Sequence, residues 1–427
     1  MTAPRHRSHA PVLAVRGGLD YGIPPASSSA GVICQAMFGL AYTPAEEAFR
    51  AELRAWLEAN LPRAPAPEDE GERRRFQRAW QRALAAGGWV GIQWPRAHGG
   101  RGASLREQII FTEEMARARA PEILDPVSVN IVGPTLIRFG TPAQQARWLP
   151  PIRPADQVWC LGFSEPNAGS DLASLRCRAR RDGDHWVVSG QKVWSSKAHF
   201  ADWCLLLVRS DPEARKHEGI SCLVVDMRTP GITWRPLVQL SGRSEFNELF
   251  FEDVRVPLEN VVGPVNGGWP IIRAALAHER GTLWAFDFKV RLQNGSRALA
   301  DLYRRCRTRG RADLAAFRPR VAQAWIEAEV FGAHTLRILP RLHAAADAPP
   351  EAALQKLFGS EIQQRTLELA MAIAGPYAQL GRDARALDGG AWAEAYLYSR
   401  SVTISSGTSE VLRNLLAQQA LGLPRGS

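Results

Sequence analysis

The chain has 427 residues, is 45% hydrophobic and 22% charged, and carries a formal net charge of +10. That length holds two or three domains with a sizeable core, and the composition excludes a disordered or fibrous protein. No run of about 18 apolar residues exists, so no membrane-spanning helix is expected. The six cysteines (Cys34, Cys160, Cys177, Cys204, Cys222, Cys306) show no CxxC pairing and no histidine at metal spacing. They read as reduced thiols of a cytoplasmic protein, with no metal site. The arginines are scattered rather than gathered in one stripe with interleaved aromatics, which argues against nucleic acid and fits an anionic small molecule.

Residues 1–42 read as a disordered extension, with Arg5-His6-Arg7-Ser8-His9 followed by Pro24-Pro25-Ala26-Ser27-Ser28-Ser29. Glycine and proline break the apolar run there, which argues against a signal peptide, and Met37 is a candidate start. Regular periodicity begins at Thr43-Pro44-Ala45-Glu46, a helix start with Thr as N-cap, Pro at N1 and Glu at N3. Phe49, Leu53, Trp56 and Leu57 then share one face, and a second helix carries Phe76, Trp80 and Leu84 up to Gly87-Gly88. Ser104 with Glu107, and Thr141 with Gln144, repeat the capping pattern, so residues 43–155 form an N-terminal helical domain. Near Val158 the pattern changes to short apolar runs: His185–Val188, Trp203–Val208, Ile220–Val225 and Leu249–Phe251. Residues 156–265 are therefore a middle, mainly antiparallel β domain. From residue 266 to 427 the pattern is helical again, in segments 269–286, 288–307, 314–339, 351–373 and 392–399, with a last helix after Gly407-Thr408-Ser409-Glu410. The fold class is α+β, mainly α, with a four-helix-type bundle at the C-terminus.

One stretch organises the rest. Gly162-Phe163-Ser164-Glu165-Pro166-Asn167-Ala168-Gly169-Ser170-Asp171 is a tight loop of small residues. Gly190-Gln191-Lys192-Val193-Trp194-Ser195-Ser196 places a flat indole beside two hydroxyls. Between them lies a hairpin with Asp182-Gly183-Asp184 as its turn. Together these parts suit a planar heterocycle with polar edges. Taken singly, each suits a surface turn or a core tryptophan just as well.

These two motifs and their order in the chain resemble the acyl-CoA dehydrogenase family. So do Trp94-Pro95 with Gly99-Gly100, Phe246-Asn247-Glu248 with Asp253-Val254-Arg255-Val256-Pro257, Asn266-Gly267-Gly268-Trp269 and Gly407-Thr408-Ser409-Glu410. The chain looks most like the actinobacterial branch acting on acyl or steroid-side-chain CoA thioesters. The resemblance implies FAD in the β domain, an acyl-CoA substrate and an electron-transfer flavoprotein as electron acceptor. By the same resemblance Phe163 and Ser164 meet the flavin edge, and Gly169 and Ser170 approach the cofactor phosphates. Ser170 also borders the thioester channel. Trp194 and Ser196 cover and hydrogen-bond the ring, and Thr408 and Glu410 complete the site from the bundle. The family removes an α proton and a β hydride, which requires a carboxylate base against the α carbon. Many members carry that glutamate directly before the Gly-Thr of the C-terminal motif, where this chain has Ser406. Others carry it on an earlier helix in a Glu-Arg pair, matched here by Glu279 and Arg280. Glu279 is the candidate base, and Arg280 is placed to contact the CoA moiety or a neighbouring carboxylate.

Two departures touch the subunit contacts: Arg307-Thr308-Arg309-Gly310-Arg311 with Phe317-Arg318-Pro319, and Ala374-Gly375-Pro376-Tyr377 where a Gln precedes Gly-Gly in the family. They are compatible with a homodimer, a homotetramer or an α2β2 heterotetramer with a paralogue. Two other readings stay open. One is a non-catalytic or half-site partner subunit. The other is an acyl-carrier-protein dehydrogenase or a flavin-dependent oxygenase on the same fold.

Overall fold

The computed structural model describes residues 42–279, 282–308, 312–344, 349–381 and 385–424, with the backbone alone described at 277–279, 282–284, 312 and 344. The readings of residues 1–41, Met37 included, lie outside the described residues. Among the described residues five α-helices come first: α1 (Pro44–Asn60), α2 (Glu70–Ala86), α3 (Leu105–Arg117), α4 (Gly133–Phe139) and α5 (Pro142–Ile152). The capping boxes at Thr43, Ser104 and Thr141 are all formed, each side chain accepting from the N3 amide while the N3 side chain accepts from the cap amide. Each such cap is worth about 1 kcal/mol. Phe49, Leu53 and Leu57 are buried as the periodicity required, with Trp80 and Leu84 packing from α2. Glu114 ties α1 to α3. Its buried carboxylate accepts from Arg54 Nε and Nη2 (3.0 and 2.7 Å), Arg50 Nη1 (3.0 Å) and Arg117 Nε (2.7 Å).

Eight strands follow: β1 (Trp159–Gly162), β2 (Arg178–Asp182), β3 (His185–Ser196), β4 (Trp203–Arg209), β5 (Ile220–Asp226), β6 (Ile232–Leu237), β7 (Phe246–Pro257) and β8 (Val261–Val262). They form one sheet in the order β6-β7-β3-β2-β4-β5-β8, with β1 pairing parallel to β4. β4 and β5 are buried along nearly their whole length, because both sheet faces are covered. Leu205, Leu207 and Val224 pack with Trp148, Trp159 and the N-terminal helices. Cys160, Cys204, Leu206 and Val208 pack on the other side with Trp186, Leu249 and Val254.

The C-terminal part holds α6 (Gly268–Glu279), α7 (Thr282–Thr308), α8 (Arg318–Ala344), α9 (Pro350–Ala374), α10 (Ala391–Val402) and α11 (Ser409–Leu415). Two expected boundaries move. The break expected between 286 and 288 is absent, because Phe286 and Phe288 face two adjoining buried clusters of one continuous helix. Pro319 stands in the first turn of α8, where its missing N–H costs nothing. α6 packs Ile271, Ile272 and Ala275 into the cluster shared by the N-terminal helices and the sheet. No helix among the described residues is long and apolar enough to cross a membrane.

Candidate functional site

The two motifs that bracket the hairpin are joined more closely than the sequence suggested. β3 runs unbroken to Ser196, so the Trp194 motif is the far end of the hairpin's returning strand. In a regular strand Lys192 and Trp194 would share a face. They do not, because the register with β7 slips between Lys192 and Ser195 and Trp194 adopts φ +61°. The bulge leaves Lys192 and Ser195 fully buried while Trp194 stands 60% exposed, edge-on to Phe246 at 6.2 Å. An indole turned outward at a left-handed backbone is a costly way to make a surface residue.

The loop 162–171 is fastened to that strand. Val193 N–H donates to Ser164 O at 2.9 Å. The Lys192 ammonium donates to Phe163 O at 3.0 Å and to Glu165 Oε1 at 2.9 Å. Glu165 also accepts from the amides of Arg176 (2.7 Å) and Cys177 (2.8 Å), and reciprocal Glu165–Ala168 backbone bonds close the turn over Pro166 and Asn167. Burial pushes the Cys177 thiol up to about 11. Beyond this anchor Gly169 and Ser170 are exposed, and a Cβ added at Gly169 would meet nothing within 4 Å. Asp171 accepts from Lys216 and Ser174, each at 2.6 Å, and these bonds, Lys216 first, hold its carboxyl below the usual range.

The Trp194 end of β3 is also fastened to its other neighbours. Asn247 Nδ2 donates to Ser195 O at 3.1 Å and to His199 Nδ1 at 3.2 Å, which leaves His199 Nε2 to face Glu70 at 3.0 Å. Lys197 donates its amide to Glu245 O (2.9 Å) and its ammonium to Leu124 O (2.6 Å) in the N-terminal domain. Ser196 is half-buried between these ties.

The bundle's contribution lies at the start of α11. Thr408 caps that helix by accepting from Val411 N–H at 3.2 Å. Glu410 is exposed, and its own backbone amide and the Thr408 side chain hold its carboxyl below the ordinary value. Ser406 and Gly407 both take positive φ, +54° and +98°, in the turn between α10 and α11, and Lys356 pins that turn through Gly407 O at 2.7 Å. Among the described residues the hydrogen bonds of Thr408 and Glu410 stay within this helix start and do not reach the Phe163–Ser196 segments. Glu279 is the last residue of α6, its side chain lying outside the described residues, as does Arg280 altogether. The bundle meets the β domain elsewhere. Arg243, in the β6–β7 loop, pairs with Glu394 of α10 and with Glu245 at 3.2 Å.

Three family models match in succession. "Acyl-CoA dehydrogenase, N-terminal domain" covers residues 43–154, "middle domain" covers 160–254 and "C-terminal domain" covers 266–421. The chain belongs to the acyl-CoA dehydrogenase family. Among curated relatives, acyl-CoA dehydrogenase IpdE1 of Mycobacterium tuberculosis is 39% identical over 89% of this chain and 98% of its own. Among solved structures, the Tcur3481-Tcur3483 steroid ACAD is 32% identical with a TM-score of 0.77, covering 90% of this chain and 99% of that one. The ChsE4-ChsE5 complex from Mycobacterium tuberculosis is 31% identical with a TM-score of 0.72, over 91% and 100%. Family membership makes the chain an acyl-CoA dehydrogenase oxidoreductase, and the fold expected for the family is the one observed.

The family's cofactor fits the residues present. A flavin needs one covering face and polar groups at its edge, and a large aromatic face stands uncovered at Trp194 next to a loop whose Gly169 leaves open space. Sequence reading picked out Phe163, Ser164, Gly169, Ser170, Trp194 and Ser196 but missed what holds them. Lys192 and Glu165 were both inside the quoted motifs. No local signal marked them: Lys192 stands between Gln191 and Val193 in a largely polar stretch, Ser189 to Ser196, and Glu165 lies in a turn-forming loop.

Proposed function

We propose that this acyl-CoA dehydrogenase is FAD-dependent and introduces an α,β double bond into a CoA thioester of steroid-derived acyl type. The observation that carries the cofactor is the exposed, left-handed Trp194 fastened through β3 to the Phe163–Ser170 loop. FAD, when bound, supplies the hydride acceptor. The chain's own residues do the rest. Trp194 and Ser196 cover and orient the ring, and the Phe163–Ser164 backbone borders its polar edge. Gly169 and Ser170 leave room for the phosphates, with Ser170 bordering the thioester channel. Thr408 and Glu410 approach from the bundle, within this subunit or from a neighbour. Glu279 takes the α proton, with Arg280 beside the CoA or a carboxylate, because Ser406 is too weak a base for the alternative position. An electron-transfer flavoprotein takes the electrons onward. The steroid class rests on the likeness to the Tcur3481-Tcur3483 steroid ACAD.

The test is anaerobic bleaching of the purified flavoprotein against a panel from short-chain to steroid-CoA thioesters. Glu279→Gln should retain flavin and lose bleaching. Full bleaching in that variant removes Glu279 from the mechanism.

A second reading is a subunit of a two-component assembly, which Ser406 and the likeness to the ChsE4-ChsE5 complex favour. Flavin stoichiometry near one per chain in the protein expressed alone would argue for a self-sufficient site. Flavin that appears only on co-expression with a paralogue would argue for the shared one.

A further inference from the structure

We propose that the buried Lys192–Glu165 pair is the positioning element of the flavin site, setting the spacing between the Phe163–Ser164 loop and the Trp194 end of β3. The inference rests on the FAD reading above. Lys192 is fully buried and Glu165 is only 9% exposed at its side chain. Placing an ion pair in a protein interior costs more desolvation than an apolar pair of the same volume, so stability alone does not explain it. Its geometry offers another reason. Three backbone segments converge on the pair: the loop through Phe163 O, the entry to β2 through the Arg176 and Cys177 amides, and β3 through Lys192 itself. All four contacts lie between 2.7 and 3.0 Å.

The pair sits on the face of β3 opposite Trp194, two residues away across the bulge. A lysine can reach past its own strand to a carbonyl and a carboxylate together; an apolar side chain holds neither. With the ammonium gone, the loop keeps its Val193–Ser164 backbone bond and loses the contact that fixes the Phe163 carbonyl. Phe163 and Ser164 then shift relative to Trp194 while the sheet stays paired. Lys192 and Glu165 are positioning residues, acting through the backbone they hold.

The experiment compares the full-length wild type, Lys192→Met and the double variant Lys192→Met/Glu165→Gln, which removes the buried carboxylate left without its ammonium. FAD affinity is titrated on each flavin-stripped protein, and the visible absorption and circular dichroism of the bound flavin are recorded. Far-ultraviolet circular dichroism and gel filtration report the fold. The expected result is a wild-type fold in at least the double variant, FAD affinity weakened tenfold or more, and flavin bands moved toward those of free FAD. Affinity within twofold of wild type with an unchanged flavin spectrum, in a folded variant, overturns the proposal. Failure of both variants to fold also overturns it, by making the pair a requirement of the β domain itself. Wild type that binds no FAD refutes the cofactor reading instead, so the two failures are distinguishable.

Discussion

Replacing Trp194 with alanine separates a cofactor-covering role from a structural one. The indole is 60% exposed and touches Phe246 edge-on, so the flavin-free protein loses little packing. A tryptophan side chain presents on the order of 200 Å². At 60% exposure, ~120 Å² is open to a ligand, and one stacked ring covers more than half of it. At ~25 cal/mol per Å² this gives ~2 kcal/mol, with aromatic stacking adding a fraction more. FAD affinity of Trp194→Ala should therefore fall roughly 30-fold. The backbone supplies a control. At φ +61° a non-glycine residue carries about 1 kcal/mol of strain, so Trp194→Gly should lose the same affinity while its flavin-free form unfolds no earlier than that of Trp194→Ala. Fluorescence titration of stripped protein with FAD, beside thermal unfolding of the stripped forms, measures both. FAD affinity within twofold of wild type in Trp194→Ala would refute the reasoning.

Glu114→Gln should destabilise the N-terminal helical domain. Burial alone would raise that carboxyl, but bonds from Arg54, Arg117 and Arg50 outweigh it and bring the value from 4.5 down to about 2. A depressed folded-state value contributes stability above pH 4.5 that disappears as pH falls toward 2, here about 3 kcal/mol at neutral pH. Urea unfolding followed by tryptophan fluorescence should show that gap at pH 7 and a smaller one at pH 4, and a constant gap would contradict it. Gly190→Ala should cost about 2 kcal/mol or more, since its Cβ would lie 2.6 Å from Cys177 Cα at φ +150°; a melting temperature equal to wild type would show that β2 and β3 yield there. Arg243→Ala removes the cation shared by Glu394 and Glu245 and should cost about 3 kcal/mol, read as faster hydrogen exchange in the β6–β7 loop and α10; unchanged exchange in both would show the pairing contributes nothing.

Much of the fold was legible because its signals are local. Thr43, Ser104 and Thr141 announce helix starts through bonds spanning three residues, and the apolar period separates the helices from the strands. The break expected near residue 287 was wrong because continuity there depends on which neighbours bury Phe286 and Phe288, and those come from other parts of the chain. At the site, the sequence by itself determined the loop 162–171, the Gly190–Ser196 motif with its tryptophan and the absence of a carboxylate at Ser406. Only the tertiary structure decided that Trp194 faces outward while Lys192, two residues earlier, faces inward. That depends on the register with β7, which no local pattern in β3 encodes. It likewise decided that Glu165, read as part of a turn, is the buried partner of Lys192 across 27 residues of chain. A charge is buried only where donors from distant segments converge on it, and that convergence exists only once the chain has folded.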